Sequence, residues 1–377
     1  MGSKRYRAAL IGCGGMSKSH LPALHEVAEI DVVAVCDIDE GRLHAVGDAF
    51  NVANRYTDYH AMFAAEKLDI VAIATQGPQH CAATVAAAEH GVHVLCEKPM
   101  ALDLVEADQM VEACDQAGVK LAINHQATVR PSLQRMRSMI ENGDIGDVIL
   151  VRGNNKSGRK AGNELMEMGT HVFDRMQFLG GAPTWCLAHL TWEGRAATID
   201  DAMDSQEMSP RDRASGLVLG ERAYALFGMS RAPVGECQFL GYEKTDSRLY
   251  SVDVLGTKGQ LSLRGTGTRR GNSDLFHLPV PAFYPADLQD APQWQHIAVP
   301  EELDPRLGEH SITPILQELI KSIETGSEHP CSGEAGRYNL EMVMAMYTSH
   351  LSGQRVSIPL AERTHPLSAG SSSVAHS

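Results

Sequence analysis

No cluster of lysine and arginine, and no interleaving of basic with aromatic residues, occurs in the 377-residue chain. That argues against a nucleic-acid partner. Paired cysteines are missing as well. The eight cysteines (13, 36, 81, 96, 114, 186, 237 and 331) show no CxxC and no other short spacing. Several lie inside apolar runs, where a free cysteine behaves as a small hydrophobe, and the pattern fits a reducing compartment. HExxH, a cysteine cluster and a GxSxG elbow are all absent, so neither a metal set nor an activated serine is expected. His90 and His93 of "EHGVH" straddle a helix end and are read as holding no ligand between them. No apolar run reaches about 18 residues, and "MGSKRYR" leads straight into a strand without a signal-like stretch. The expectation is a soluble, cytoplasmic protein with no membrane partner.

Hydrophobic residues make up 43% of the chain, enough for a full core, and the length favours two domains over one. Basic residues number 33 against 47 acidic ones, a net charge of −14. An acidic chain that nevertheless binds a phosphate-bearing cofactor has to do so with backbone amides rather than bulk charge.

Strand and helix alternate over residues 1–123. Apolar runs at 6–12 ("YRAALIG"), 31–37 ("DVVAVCD"), 69–75 ("DIVAIAT", read as the third strand), 92–97 ("VHVLCE") and 120–124 ("KLAIN") are separated by helical stretches at 16–28, 39–50, 79–90 and 103–117. Runs apolar on both faces, with helices between them, predict a doubly wound parallel sheet covered on both sides. From 124 to about 360 the pattern changes. A helix (131–142), a strand (148–154) and a helix (164–180) precede strand-like segments at 185–193, 214–219, 223–229, 236–242, 250–256 and 259–264. "GTKGQ" has the glycines and spacing of a tight hairpin. This predicts a second, α+β domain with a large, mostly antiparallel sheet. Residues 264–296, rich in Gly and Pro, read as a surface excursion or an interface element, helices are expected at 311–325 and 333–351, and 361–377 reads as a disordered tail. No internal repeat is present.

"LIGCGGMSKSH" places Gly12, Cys13, Gly14, Gly15 and Met16 directly after a strand and at the opening of a helix. Glycines there let the chain turn tightly and approach a pyrophosphate, which rests on the helix amino end. Ser17 stands where a third glycine is usual. Asp37 ends the second strand, 23 positions past Gly14. A carboxylate there accepts hydrogen bonds from ribose hydroxyls and repels a 2′-phosphate, so NAD is expected over NADP. The competing role, N-cap of the next helix, suits Asp39 better.

With the glycine loop, Asp37, "ATQGPQH" and "CEKPM" in order, and "MEMGTHVFD" later, the chain resembles the glucose–fructose oxidoreductase / inositol dehydrogenase / rhizopine-catabolism (Gfo/Idh/MocA) family from about residue 6 to about 360. The resemblance implies a Rossmann domain, an α/β substrate and oligomerisation domain, and NAD-dependent oxidation or reduction of a hydroxyl carbon of a sugar, glycoside or cyclitol. It places Lys98 beside the nicotinamide, hydrogen-bonding the reacting oxygen, with Glu97 orienting the lysine or hydrogen-bonding near the cofactor, both counted in the cofactor set, and a proline, often after a cis bond, fixing the turn. Read alone, Lys98 is better explained as a lysine snorkelling from a strand end. The resemblance also places Thr75 and His80 near the cofactor, although His80 alone could serve as a helix cap.

Glu167, His171 and Asp174 follow at spacings of four and three, one face of a helix. Oxidising an alcohol needs a proton acceptor near neutral pH, and histidine suits that task. The family element reads Asp-x-x-x-His, so His171 matches and Glu167 is a substitution. The plainer reading of His171 is a core histidine capped by a carboxylate. Asn155, Lys156, Arg159, Lys160 and Asn163 just upstream offer donors suited to a polyol or carboxylate, and equally read as a solvated loop. Asn124, His125 and Arg130 are weaker candidates. Lys98, Asn124, Arg159, Glu167, His171 and Asp174 form the expected substrate set, with Lys98, Glu167 and His171 catalytic. A small-molecule substrate and a homodimer or homotetramer are expected. The alternative activity is an NAD-dependent glycoside hydrolase or lyase that oxidises C3 transiently, eliminates and recycles its cofactor.

Overall fold

A computed structural model describes residues 5–155, 164–205, 215–241, 250–265, 274–280, 293–300 and 312–368. The chain forms two compact units. One comprises Met1–Gln126 with Asp304–Arg337, and the other Ala127–Leu303 with Tyr338–Ser377.

The first unit is built on six strands: β1 (Tyr6–Ile11), β2 (Ile30–Cys36), β3 (Asn54–Tyr56), β4 (Ile70–Ile73), β5 (His93–Cys96) and β6 (Leu121–Ile123). They lie in the order β3-β2-β1-β4-β5-β6, and every pairing is parallel. β4 is buried at all four positions, as a strand covered on both faces must be. Helices α1 (Ser17–Glu26), α2 (Glu40–Ala49), α3 (Tyr59–Ala65), α4 (His80–Glu89) and α5 (Leu104–Ala117) join the strands. Asp39, Asp58 and Asp103 cap α2, α3 and α5 through side-chain bonds to main-chain amides. The strand read as third is fourth along the chain, because β3 and α3 intervene. β3 is three residues long and only partly buried, so it leaves no apolar run to detect.

The segment expected to close the second domain divides differently. Residues 304–337 cluster with the first unit, through helix α8 (Thr313–Thr325), which packs beside α1. Thr313 Oγ1 donates to Glu26 (2.6 Å), and Ile123 N donates to the Cys331 carbonyl (2.8 Å). An amphipathic stripe states that a helix has a partner without naming it. α9 (Gly333–Ser352) opens in this unit and continues into the second.

The second unit carries α6 (Pro131–Glu141) and α7 (Thr170–Gly180) on a ten-stranded sheet. Its strands are β7 (Val148–Asn154), β8 (Pro183–Trp192), β9 (Arg195–Ala196), β12 (Arg222–Met229), β13 (Val234–Phe239), β14 (Ser251–Gly256), β15 (Gln260–Arg264), β16 (Asp274–Leu278), β17 (Gln295–Ile297) and β18 (Val356–Ser357). The order is β17-β16-β15-β14-β7-β13-β12-β8-β18, with β9 against β8. Only β7–β13 is parallel among these pairs, so the sheet is mixed and mostly antiparallel. β14 and β15 form the hairpin expected at "GTKGQ".

Two expectations change here. Of the strand expected at 214–219, the described residues 215–219 do not join the large sheet. β11 (Leu217–Val218) instead pairs with β10 (Met203–Asp204) in a separate ribbon. The stretch 264–296 is not wholly an excursion, since β16 and β17 extend the sheet edge. Short edge strands flanked by Gly and Pro look like loops in sequence. Of the tail, 361–368 is described, with Ser368 N bonded to His365 O (3.0 Å), and 369–377 lies outside the described residues. Among the described residues no helix is long and apolar enough to cross a membrane.

Candidate active site

In the first unit β1 runs into the glycine loop. Gly12 has φ +101°, and a Cβ on it would sit 2.7 Å from the Ala74 carbonyl carbon and oxygen, so only glycine fits between β1 and β4. Gly14 and Gly15 are different. A Cβ on either would meet nothing within 4 Å, so the loop faces open space where a pyrophosphate could approach the backbone. Behind it α1 begins at Met16, which is 40% exposed, with no side-chain cap and no acidic residue in the first turn. Uncapped amides and the positive end of the helix dipole suit an anion. Ser17 is buried, and its hydroxyl donates to the Gly14 carbonyl (2.6 Å), closing the turn where a third glycine is usual.

Asp37 lies just past β2. Its Oδ2 accepts from Cys13 N (2.7 Å), and its Oδ1 accepts from Asp39 N (2.8 Å) and faces Arg42 Nη2 (3.3 Å). Asp37 therefore ties the glycine loop to the end of β2, while Asp39 takes the helix cap by accepting from Arg42 N (2.9 Å). Cys13 engages the site through its main chain. Burial, then the Asp37 charge, pushes its thiol up to about 12, so it is not a nucleophile. The Thr75 hydroxyl, past the end of β4, is buried with no partner among the described residues. The loop space and this unmatched hydroxyl fit a dinucleotide held by Gly12–Met16, Asp37 and Thr75.

Glu97 and Lys98 follow β5, and the Lys98–Pro99 peptide is cis. Glu97 is buried. Its Oε1 accepts from Asn124 Nδ2 (2.6 Å) and meets His20 Nε2 (2.8 Å), while Oε2 accepts from Lys98 N (3.1 Å). Burial alone would raise its pKa. The His20 bond and charge, then Lys98 and Asn124, outweigh that and hold the carboxyl at about 2. His80, expected beside the cofactor, is buried with Nδ1 2.9 Å from the Pro99 carbonyl and Nε2 3.2 Å from the Thr75 carbonyl. Both ring nitrogens face main-chain carbonyls, and the neutral ring donates to one of them, which packs the Lys98–Pro99 turn beside the end of β4. Burial lowers its pKa against the pull of those carbonyls. His125 is buried too, and burial, then the Lys98 charge, drives its pKa down to about 3.

In the second unit the expected helix 164–180 is not uniform. Leu165–Gly169 is a π turn, and α7 proper starts at Thr170. π turns are uncommon and frequent at functional sites. Because the wider turn alters the spacing, Glu167, His171 and Asp174 do not share one environment. Glu167 and His171 are half-buried, and Ser215 Oγ donates to Glu167 Oε1 (3.1 Å). Asp174 is buried, accepting from Thr128 Oγ1 and from Asn339 Nδ2 (3.2 Å). Burial raises its pKa to about 7 against the lowering effect of Thr128, Asn339 and Arg175. Expected as a substrate ligand, Asp174 is held by protein donors and supports α7 from within. Asn155, one of the upstream donors, gives its amide to Glu164 Oε2 (2.6 Å) within the unit. Lys156, Arg159, Lys160 and Asn163 lie outside the described residues.

His20, Thr128, Ser215 and Asn339 are the partners that sequence reading missed. His20 sits three residues past Ser17 in "MSKSH", and nothing in its local pattern points to Glu97. Only the folded β-α-β arrangement joins them.

Residues 6–125 match a family model described as an oxidoreductase family with an NAD-binding Rossmann fold, and 137–358 match the C-terminal alpha/beta domain of the same oxidoreductase family. D-apiose dehydrogenase of Paraburkholderia graminis is 30% identical over 383 residues, covering 98% of this chain and 94% of that protein. D-apiose dehydrogenase of Rhizobium rhizogenes is 27% identical over 370 residues, covering 95% and 99%. The fold resembles that of the WlbA dehydrogenase from Bordetella pertussis, solved in complex with NADH and UDP-GlcNAcA, with a TM-score of 0.70, 22% identity and coverage of 95% and 100%.

Proposed function

Since the chain belongs to the Gfo/Idh/MocA oxidoreductase family, we propose that it is an NAD-dependent dehydrogenase acting on a hydroxyl carbon of a sugar, glycoside or cyclitol. The match to D-apiose dehydrogenase along nearly the whole of both chains carries this reading. NAD bound at the glycine loop supplies a hydride acceptor for the carbon being oxidised. The chain's own residues do the rest. Gly12, Cys13, Gly14, Gly15 and Met16 form the cradle, Asp37 holds the ribose end, and Thr75 offers its unmatched hydroxyl. Lys98 donates to the reacting oxygen and stabilises the negative charge that grows on it. The hydroxyl proton leaves in the same reaction, and His171 takes it, with Glu167 and its Ser215 partner beside the same turn of chain. Asn124 and Arg159 are weaker members of the substrate set. Glu97, His80 and Asp174 hold other residues in place.

The test is NADH formation with purified protein against D-apiose, other aldoses, glycosides and cyclitols. Turnover of at least one with net NADH supports the reading. Release of an aglycone without net NADH would instead point to the hydrolase or lyase alternative.

Two broader features belong to the same reading. The chain works in the cytoplasm, where its eight unpaired, buried cysteines stay reduced. It also self-associates through the outer face of the large sheet. There Leu187 and Leu226 are cross-strand partners, 43% and 41% exposed, beside Tyr224 at 40%, an apolar cluster of the kind that marks interfaces.

A further inference from the structure

We infer that His20 is a positioning residue that sets Lys98 through Glu97, linking the dinucleotide loop to the catalytic ammonium. This rests on the reading of Lys98 given above. The connection is a run of bonded groups inside the first unit. α1 opens at the glycine loop, and His20 N donates to the Met16 carbonyl (3.0 Å) at its start. One turn in, the His20 ring meets Glu97 Oε1 (2.8 Å), and Glu97 Oε2 holds the Lys98 amide (3.1 Å). His20 is 0% and Glu97 4% exposed, so water competes for neither.

The chemistry fixes the direction of the bond. A carboxylate held at about 2 is ionised across any working range and only accepts, so His20 Nε2 carries the proton and donates. A buried carboxylate that loses a donor is left undercompensated, and it recovers by shifting or rotating. Here any such shift moves the Lys98 amide, because the two are bonded. A catalytic group misplaced by about 1 Å costs on the order of 10²-fold in rate. The other nitrogen of His20, Nδ1, is buried and has no partner among the described residues. An unmatched buried polar atom is destabilising, so packing alone would favour an apolar side chain at this place. A histidine at this place is accounted for by what its Nε2 does for Glu97.

The decisive measurement is a double-mutant cycle of His20→Ala and Glu97→Gln, read as kcat and KM on whichever panel sugar is turned over fastest, with NAD affinity from protein fluorescence. We expect His20→Ala to lower kcat by about tenfold or more while KM and NAD affinity move less than about threefold. His20→Gln, whose amide can still donate, should recover part of the loss and serves if the alanine variant melts early. Adding His20→Ala to Glu97→Gln should lower kcat less than about twofold further, since both act through one bond. Fully additive losses, or an unchanged kcat in His20→Ala, would overturn the inference. Lys98→Ala separates the two levels. A fully active Lys98→Ala would remove the role given to the lysine and this inference with it, whereas an inactive one with additive His20 and Glu97 losses removes the inference alone.

Discussion

At the scale of single residues, charge and burial decide what each group can do. The proposed function gives chemical roles to Lys98 and His171, so Lys98→Ala and His171→Ala should each lower kcat by about 10²-fold or more, with NAD affinity little changed in His171→Ala. Near-normal turnover of His171→Ala from about pH 6 to 10 would mark that histidine as structural. In the proposed function Asp37 governs cofactor choice. It should favour NAD over NADP by at least about tenfold, or ~1.4 kcal/mol. Arg42, half-exposed and 3.3 Å from it, becomes available for a 2′-phosphate once the carboxylate is gone, so Asp37→Ala should shift preference toward NADP. Titration of both cofactors checks this, and tighter NADP binding by the unaltered chain would contradict it. Asp174 makes a prediction about stability. Its ordinary value of 3.8 is raised to about 7 in the fold, first by burial. Between those values the folded chain keeps a proton that the unfolded chain has lost, so stability falls as pH rises through the window and stays lower above it. Asn mimics the protonated acid and lacks that slope. Between pH 4 and 8, Asp174→Asn should gain on the unaltered chain by on the order of 2–4 kcal/mol. Melting both proteins at the two pH values tests it, and a constant gap between them would refute it.

Elements place these residues, and the closeness of their packing is as important as their type. α7, which carries His171, lies against β7 at Gly153. A Cβ there would overlap Val172 Cγ1 and come within 2.6 Å of Met176 Sδ, two residues of α7. Gly153→Ala should therefore push the helix off the strand, at a cost of about 1–3 kcal/mol from overpacking, and carry His171 with it. We expect a lower Tm together with a lower kcat. An unchanged melting curve would mean that α7 yields without strain. The π turn at Leu165–Gly169 belongs to the same scale. It turns Glu167 toward Ser215 while Asp174 turns inward to Thr128 and Asn339, which a uniform 3.6-residue period does not anticipate.

For the whole molecule the open question is what covers the outer face of the large sheet. With Leu187, Tyr224 and Leu226 exposed there, light scattering should give a mass that is a multiple of 40.8 kDa at micromolar concentration. Replacing Leu187 and Leu226 with Asp should reduce it toward that of one chain. A monomer in both proteins would refute the interface.

How much of this could be read without coordinates follows from the range of each interaction. Apolar runs broken by helices, the glycine turn at Gly12, the acid at Asp37 and the Glu97–Lys98–Pro99 turn are local patterns, and periodicity and residue type within a few positions specify them. So the parallel doubly wound sheet, its glycine loop and the helix that carries His171 were all legible. Other features depend on neighbours far along the chain. β3 was missed because three exposed or half-exposed residues form no run, and β16 and β17 because short strands among glycines and prolines resemble loops. The return of 304–337 to the first unit was hidden because a helix's apolar face does not identify its partner. The same holds within the site. Asp37 was recognisable as an acid at a strand end, but that it also holds Cys13 N follows from how β1 and β2 lie side by side. His20 lies 77 positions from Glu97, and Asp174 lies 165 from Asn339. Residue type set what each of these groups can donate or accept, and only the packing of helices on sheets, which expels water and leaves each buried charge the partners at hand, decided which of them meet.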